Sequence, residues 1–292
     1  MKADSVMKIF DARIDGYTKV QLEDLISGAL KRAQKIKISK INTEFLQRAR
    51  KDNHFKDVLN SSDLNIVDGR GVLWAARYLT LSISSNKFIR PIQVVLQMIY
   101  SGASIVLCPR FINYPIPEAI PGVEAFKLMM ETAVNTSSGV FLFGSSQETL
   151  DLASANLKKE FPSLIISGSL NGYDFQKDKT IDPVIEINKT NAKVLIVGLG
   201  SPKQEYWIND NIDRLKNIKI AVGEGGTLDR IANPGQKSPK FINKIGLEWL
   251  WRTLFNKSKT ETRNRFQRFW NAVPSFIYQV VKWKVKNGQT KI

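Results

Sequence analysis

The chain has 292 residues, 43% hydrophobic and 24% charged, the composition of an ordinary globular protein with length for one large domain or two small ones. One cysteine, Cys108, excludes an internal disulfide, and one histidine, His54, without cysteines near it argues against a His/Cys metal centre. Forty-three Lys and Arg against 27 Asp and Glu leave a formal charge of +16, which favours polyanionic partners: nucleic acid, anionic lipid or phosphorylated substrates.

In chain order, the first residues, "MKADSVMKIFDARIDGY", lack the apolar core of a secretory signal, so a cytoplasmic protein is expected. "KVQLEDLISGALKRAQ" reads as a helix, "IKISKI" as a strand and "TEFLQRARKDNHFKDVLN" as a second helix, with His54 on its surface. Strand "LNIV" then runs into Asp68 and Gly-Arg-Gly before a helical "GVLWAARYL". A carboxylate at that handover has two readings. Asp caps helices by accepting from orphan N–H groups, whereas ligands of α/β sheets collect at strand carboxyl ends, where a carboxylate can take a proton. The residues alone leave both open.

The apolar stretch Ile92 to Cys108 is interrupted by Gln93, Gln97, Ser101, Gly102 and Ser104. It falls short of the ~20 apolar residues of a spanning helix and reads as a buried or interfacial segment. Beyond it, four short apolar strands end in glycine: "GVFLFG" at Gly144, "SLIISG" at Gly168, "KVLIVG" at Gly198 and "IKIAVG" at Gly223. Helical patterns follow most of them, including "SQETLDLASANLKKEF", "SPKQEYWINDNIDRL" and "SPKFINKIGLEWLWRTLF". Strands as continuous apolar runs alternating with helices predict an α/β fold, a Rossmann-like parallel sheet with helices on both faces.

Three glycine motifs sit at these strand ends. In "VLIVGLGSPKQEYW", Gly198 and Gly200 lack the third glycine of a dinucleotide fingerprint, its place being held by Lys203. Backbone N–H groups and Lys203 still suit a diphosphate cradle, and a plain tight turn is the alternative. In "AVGEGGTLDRIANPG", Gly225 and Gly226 allow a ligand against bare backbone and Asp229 can accept from a sugar or base; a structural loop is equally open. In "LNGYDF", Gly172 precedes Tyr173, which is either a stacking platform or a core contact. From Arg252 onward the tail carries ten Lys and Arg and one acid, Glu261, interleaved with Phe and Trp. That composition suits an anionic bilayer surface, and also a solvated helix packing its aromatics inward.

Together these segments resemble the WecG/TagA/CpsF glycosyltransferase family over roughly residues 6–80 and 118–276. The resemblance rests on "INTEFLQRARKD", "VDGRGVLWAARYL", "GLGSPKQEYWI", "GEGGTLDRIANPGQKSPKFI" and "GLEWLWR". It implies a core over residues 1–250 with an insertion at about 81–117, and a basic, membrane-proximal helical appendage over 251–292. It also implies a cofactor-free, metal-independent, inverting transfer of a sugar from a UDP donor to a polyprenyl-diphosphate-linked acceptor. Such transfers serve teichoic acid, common antigen and capsule assembly, often with N-acetylmannosamine or its uronate.

By the same resemblance Asp68 is the general base and Asn42 lies on the acceptor side. Lys40 stands beside it, where the family usually has threonine. Gly144, Gly172, Tyr173, Gly198, Gly200, Lys203, Gln204, Gly225, Gly226 and Asp229 fall on the donor side. Arg252, Arg263 and Arg268 belong to the appendage that closes on the donor diphosphate. Further implications are self-association and a peripheral place at the inner face of the plasma membrane, with the 81–117 insertion at the membrane or the acceptor entrance. A second departure is "EAIPGVE", which keeps Glu118 and Gly122 but has Ala119 for the family's arginine and Glu124 for its aspartate. The rival readings are a scaffold that has lost activity and a basic nucleic-acid binder; the latter lacks any recognition motif.

Overall fold

A computed structural model of the chain describes residues 3–32, 34–172, 182–234 and 259–290, with side chains in the last segment described from residue 273. Eight strands form one sheet: β1 (Ser5–Ile9), β2 (Ala12–Gly16), β3 (Ile36–Ile41), β4 (Leu64–Val67), β5 (Gly139–Gly144), β6 (Ile166–Leu170), β7 (Ala192–Gly198) and β8 (Ile220–Gly223). Their order is β1-β2-β4-β3-β8-β7-β5-β6, and every pairing is parallel except the β1–β2 hairpin at one edge. The Rossmann-like expectation therefore holds, with an antiparallel edge added. That hairpin turns through Phe10 and Asp11 at φ 54° and 63°, without the Asn-Gly or Asp-Gly pair that marks such turns in a sequence.

Helices cover both faces. On one side α1 (Lys19–Lys31), α6 (Gly122–Asn135), α7 (Gln147–Glu160) and α10 (Gly225–Ala232) bury Leu22, Met129, Leu150 and Leu228 against Ile38, Leu142 and Val222. The other side carries α2 (Thr43–Lys51), α3 (Asn53–Asn60), α4 (Arg70–Thr80), α8 (Pro183–Asn188) and α9 (Lys203–Asn211). There α5 (Ile89–Leu107) and α11 (Lys259–Asn287) form an outer layer over α4. The single helix expected over 43–60 is two, because Asp52 takes extended backbone and its carboxylate accepts from Phe55 N at 3.0 Å, capping α3. The strand read at 163–168 is displaced to Ile166–Leu170, and the helix read in 238–255 lies outside the described residues.

Helix α5 is amphipathic in the reverse sense. Its inward stripe is Val94, Gln97, Ser101 and Ser104, spaced at three and four residues, while Ile92, Leu96, Ile99, Val106 and Leu107 are exposed. The inward polar groups are all bonded: Ser101 Oγ accepts from Trp74 Nε1 at 3.0 Å, Ser104 Oγ donates to Ser101 O at 2.6 Å, and Gln97 Nε2 donates to Ser82 O at 2.7 Å. The helix is long and apolar enough to cross a membrane, although one side of it is committed to the protein.

The far half of α11 is stitched to this layer. Phe276 and Trp283 meet Phe10 edge-on at 6.2 and 5.5 Å between ring centroids, so the tail's aromatics do pack inward in part, while Tyr278 stays exposed. Lys284 is fully buried; its ammonium donates to Tyr78 O, the carbonyl near the end of α4, and to Gln97 Oε1 at 2.6 Å, and lies 4.2 Å from the Tyr78 ring centre. Burial lowers the Lys284 pKa to about 7, with neighbouring Arg77 adding to the effect.

In the unfolded chain Lys284 returns to about 10.4, so between pH 7 and that value the unfolded state holds the extra proton and stability rises with pH. Urea unfolding followed from pH 7 to 9 is expected to show this rise, at most about 1.4 kcal/mol per pH unit, and Lys284→Met is expected to abolish it.

Candidate functional site

Helices diverge where β3 meets β8. The chain leaves β3 for α2 on one face and leaves β8 for α10 on the other; in open α/β sheets a divergence of this kind is where the ligand crevice lies, outside the strand carboxyl ends. Lys40, near the end of β3, reaches across this crevice to Glu224, the residue after β8, and the two form a close ion pair. Glu224's side chain is wholly buried and that of Lys40 is 11% exposed. Burial raises the Glu224 pKa, Lys40 opposes the rise, and Asp68 pushes it further up.

Asp68 follows β4, one strand over. Its N–H donates to Ile41 O at 2.9 Å, which holds the ends of β3 and β4 together. The cap position of α4 is Gly69, at φ 101°, and no side chain caps that helix. The Asp68 carboxylate reaches beyond its own helix. Its Oδ1 accepts from Gly122 N at 3.3 Å, at the start of α6, a segment tied to β4 by Ile120 N donating to Val67 O at 2.8 Å. A Cβ on Gly122 would stand 2.9 Å from Lys40 Nζ and 3.4 Å from Asp68 Oδ2, so the ammonium and the half-buried carboxylate converge on this glycine.

Gln204 joins the two glycine loops. Its Oε1 accepts from Gly200 N at 3.1 Å and from Gly225 N at 3.2 Å, while its Nε2 donates to Glu205 Oε1 at 2.7 Å. A Cβ on Gly223 would overlap the Gln204 amide, so that glycine is needed for close packing. Burial likewise raises the Glu205 pKa, against hydrogen bonds from Gln204 and Ser201 and the charge of Lys40. Gly226 is different: an added Cβ meets nothing within 4 Å, and the residue lies exposed in the first turn of α10. The amino ends of α2, α4, α6, α9 and α10 all open at this end of the sheet, and helix amino ends favour negative charge.

The sequence candidates divide accordingly. Lys40, Asp68, Gln204 and Gly225 come together around the crevice. Asn42 stands at the adjoining turn, where its Oδ1 caps α2 by accepting from Phe45 N at 2.9 Å. Gly144, Gly172 and Gly198 bring backbone against backbone at the ends of β5, β6 and β7, since a Cβ on Gly144 would fall 2.6 Å from Gly198 C and one on Gly172 would fall 2.8 Å from Gly144 Cα. Lys203 is exposed on the first turn of α9 and Asp229 on the second turn of α10. Tyr173 and Arg252 lie outside the described residues, as do the side chains of Arg263 and Arg268 on α11. Sequence reasoning passed over Glu224 and Glu205. Glu224 carried the signal that drew attention to Asp68, a carboxylate directly after an apolar strand, but its glycine neighbours took the attention. Among the described residues no three His, Cys, Asp or Glu side chains are arranged to hold a metal ion.

A model of the glycosyl transferase WecG/TagA/CpsF family matches residues 7–95 and 87–290. Among curated proteins, the chain is similar to N-acetylglucosaminyldiphosphoundecaprenol N-acetyl-beta-D-mannosaminyltransferase of Staphylococcus aureus. The MRSA252 sequence is 27% identical over 194 residues, 66% of this chain and 72% of the relative. The same enzyme from strains NCTC 8325 and COL is 26% identical over the same shares.

Removing one partner of a buried ion pair strands the other charge, at about 3–5 kcal/mol. Lys40→Met is therefore expected to destabilise the protein by about 3 kcal/mol in urea unfolding. The double variant Lys40→Met with Glu224→Leu is expected to recover most of that loss; additive losses would mean the two groups do not interact.

Proposed function

The chain belongs to the WecG/TagA/CpsF glycosyltransferase family, and from that premise we propose that it transfers an N-acetylmannosamine-type sugar from UDP to a polyprenyl-diphosphate-linked N-acetylglucosamine acceptor, with inversion at the anomeric carbon. The name of the relatives supplies the sugar and acceptor classes. The observation that carries the assignment to residues is Asp68: a carboxylate at a strand end, not capping its own helix, beside the crevice where the helices diverge.

In this reading Asp68 takes the proton of the acceptor hydroxyl as its oxygen attacks the anomeric carbon. The new glycosidic C–O bond forms as the bond from that carbon to the UDP oxygen breaks, and UDP leaves with the electron pair. One in-line displacement inverts the centre. Lys40 keeps a positive charge beside Asp68, and its pairing with Glu224 holds the ammonium in place. The first turn of α10, with Gly226 open to approach, and the Gly200 turn are the donor-side backbone that receives charge developing on the diphosphate. Lys203 and Asp229 flank that surface from solvent. The exposed apolar face of α5 and the basic α11 beside it suit work at an anionic membrane surface on a lipid-borne substrate.

The test is turnover of a panel of UDP-sugars on a polyprenyl-diphosphate N-acetylglucosamine acceptor, with mass detection of the lipid product. Asp68→Asn is expected to lower kcat by about 10²- to 10⁴-fold, the usual share of a general base, with its melting temperature retained. Full activity in that variant removes Asp68 from the role.

A further inference from the structure

Between α4, α5 and α11 lies a hollow of about 350 Å³ whose lining is almost wholly apolar. That volume falls within the ~300–1,000 Å³ of small-molecule sites. With so few polar groups in its walls, it offers water little to bond to. Thr43 and Gly71 line its inner end, Trp74, Gly102 and Ala103 its sides, and Phe276 of α11 closes it.

Two features say what fits there. Thr43 directly follows Asn42, and Gly71 is in the turn that begins at Asp68. A Cβ on Gly71 would stand 2.8 Å from Thr43 Cγ2, so the turns after β3 and β4 touch at the inner end of the hollow. That end of the hollow lies at the starts of α2 and α4, the helices that follow Asn42 and Asp68 in the chain. The outer end opens on the reversed face of α5, since Ile99 lines the hollow and is also 57% exposed. A helix that bonds every inward polar group and turns its apolar side out is built for hydrocarbon surroundings. The ligand is then an apolar chain that comes from a bilayer and carries a polar head.

Resting on the transfer proposed above, we infer that this hollow holds the first isoprene units of the acceptor's carrier lipid and presents its diphosphate-sugar head to Asp68. The 81–117 insertion thereby builds one wall of the acceptor site.

Gly102 gives the test. An added Cβ there meets nothing within 4 Å, so Gly102→Phe fills the hollow from a helical position where losing glycine also favours the helix. Ala103→Leu is the second filling variant should the first melt below wild type. Farnesyl diphosphate, titrated calorimetrically into the full chain, is expected to bind wild type and to bind each well-folded filling variant at least tenfold more weakly. The ratio of kcat/KM on a farnesyl-diphosphate-linked sugar to that on a methyl-diphosphate-linked sugar is expected to fall by the same factor. No binding to wild type, or filling variants that bind as wild type does, overturns the inference. A filling that changes the sedimentation of the chain without changing farnesyl diphosphate affinity also overturns it, giving the hollow to a second copy. Binding that the fillings abolish, in a protein that transfers no sugar to any acceptor, removes the proposed reaction and leaves the hollow as a prenyl site.

Discussion

Lys40 and Glu224 form an ion pair across the junction where the helices diverge, and the crevice is built on it. Each charge would be costly alone in so buried a place, so each constrains the other's strand end. Two further carboxylates stand near the pair, Asp68 after β4 and Glu205 on α9. Asp68 is tied to Ile41 by its backbone and to Gly122 by its side chain, and Glu205 is tied to Gln204. Burial raises the pKa of both Glu205 and Glu224, and the charge of Lys40 opposes that rise at each. A carboxylate flanked by an ammonium and a ring of helix amino ends is an arrangement that can accept a proton and receive a phosphorylated ligand in one place.

The glycines have two kinds of work. Those at 144, 172, 198 and 223 are required because a Cβ would strike backbone or a packed side chain, so they set how closely the strand ends approach one another. Gly226 meets nothing, and its freedom faces outward. Gln204 converts the first kind into the second: by accepting from Gly200 and Gly225 together, it fixes two loops whose remaining backbone is turned to the crevice. The glycine-rich segments are thus a scaffold first, with ligand approach left to the positions the scaffold does not fill.

The outer layer follows another rule. In α5 the buried stripe is polar and the exposed stripe apolar, and its polar stripe is satisfied by Trp74 from α4, by a carbonyl of the preceding loop and by Lys284 from α11. The basic tail is therefore not a loose extension at its far end. Phe276, Trp283 and Lys284 fasten it to Phe10, α4 and α5, leaving Tyr278, Lys282 and Lys286 outward.

What the sequence by itself determined is what depends on near neighbours. Apolar runs ending in glycine marked the parallel strands, and Asp68 stood out because a carboxylate at a strand end is a local anomaly. Local pattern also misled where its cue was weak: Phe10 and Asp11 turn a hairpin without the usual residues, and Asp52 splits a helix that reads as continuous. Only the tertiary structure decided which side of α5 is the inside, since a period of three to four residues defines two faces but does not say which finds partners. It alone showed that Asp68 reaches α6 rather than capping α4, because Gly122 lies 54 positions away in the chain. Lys40 meets Glu224 across 184 positions. No local pattern carries such a pairing, because what selects it is the mutual attraction of two charges that would each be costly to bury alone.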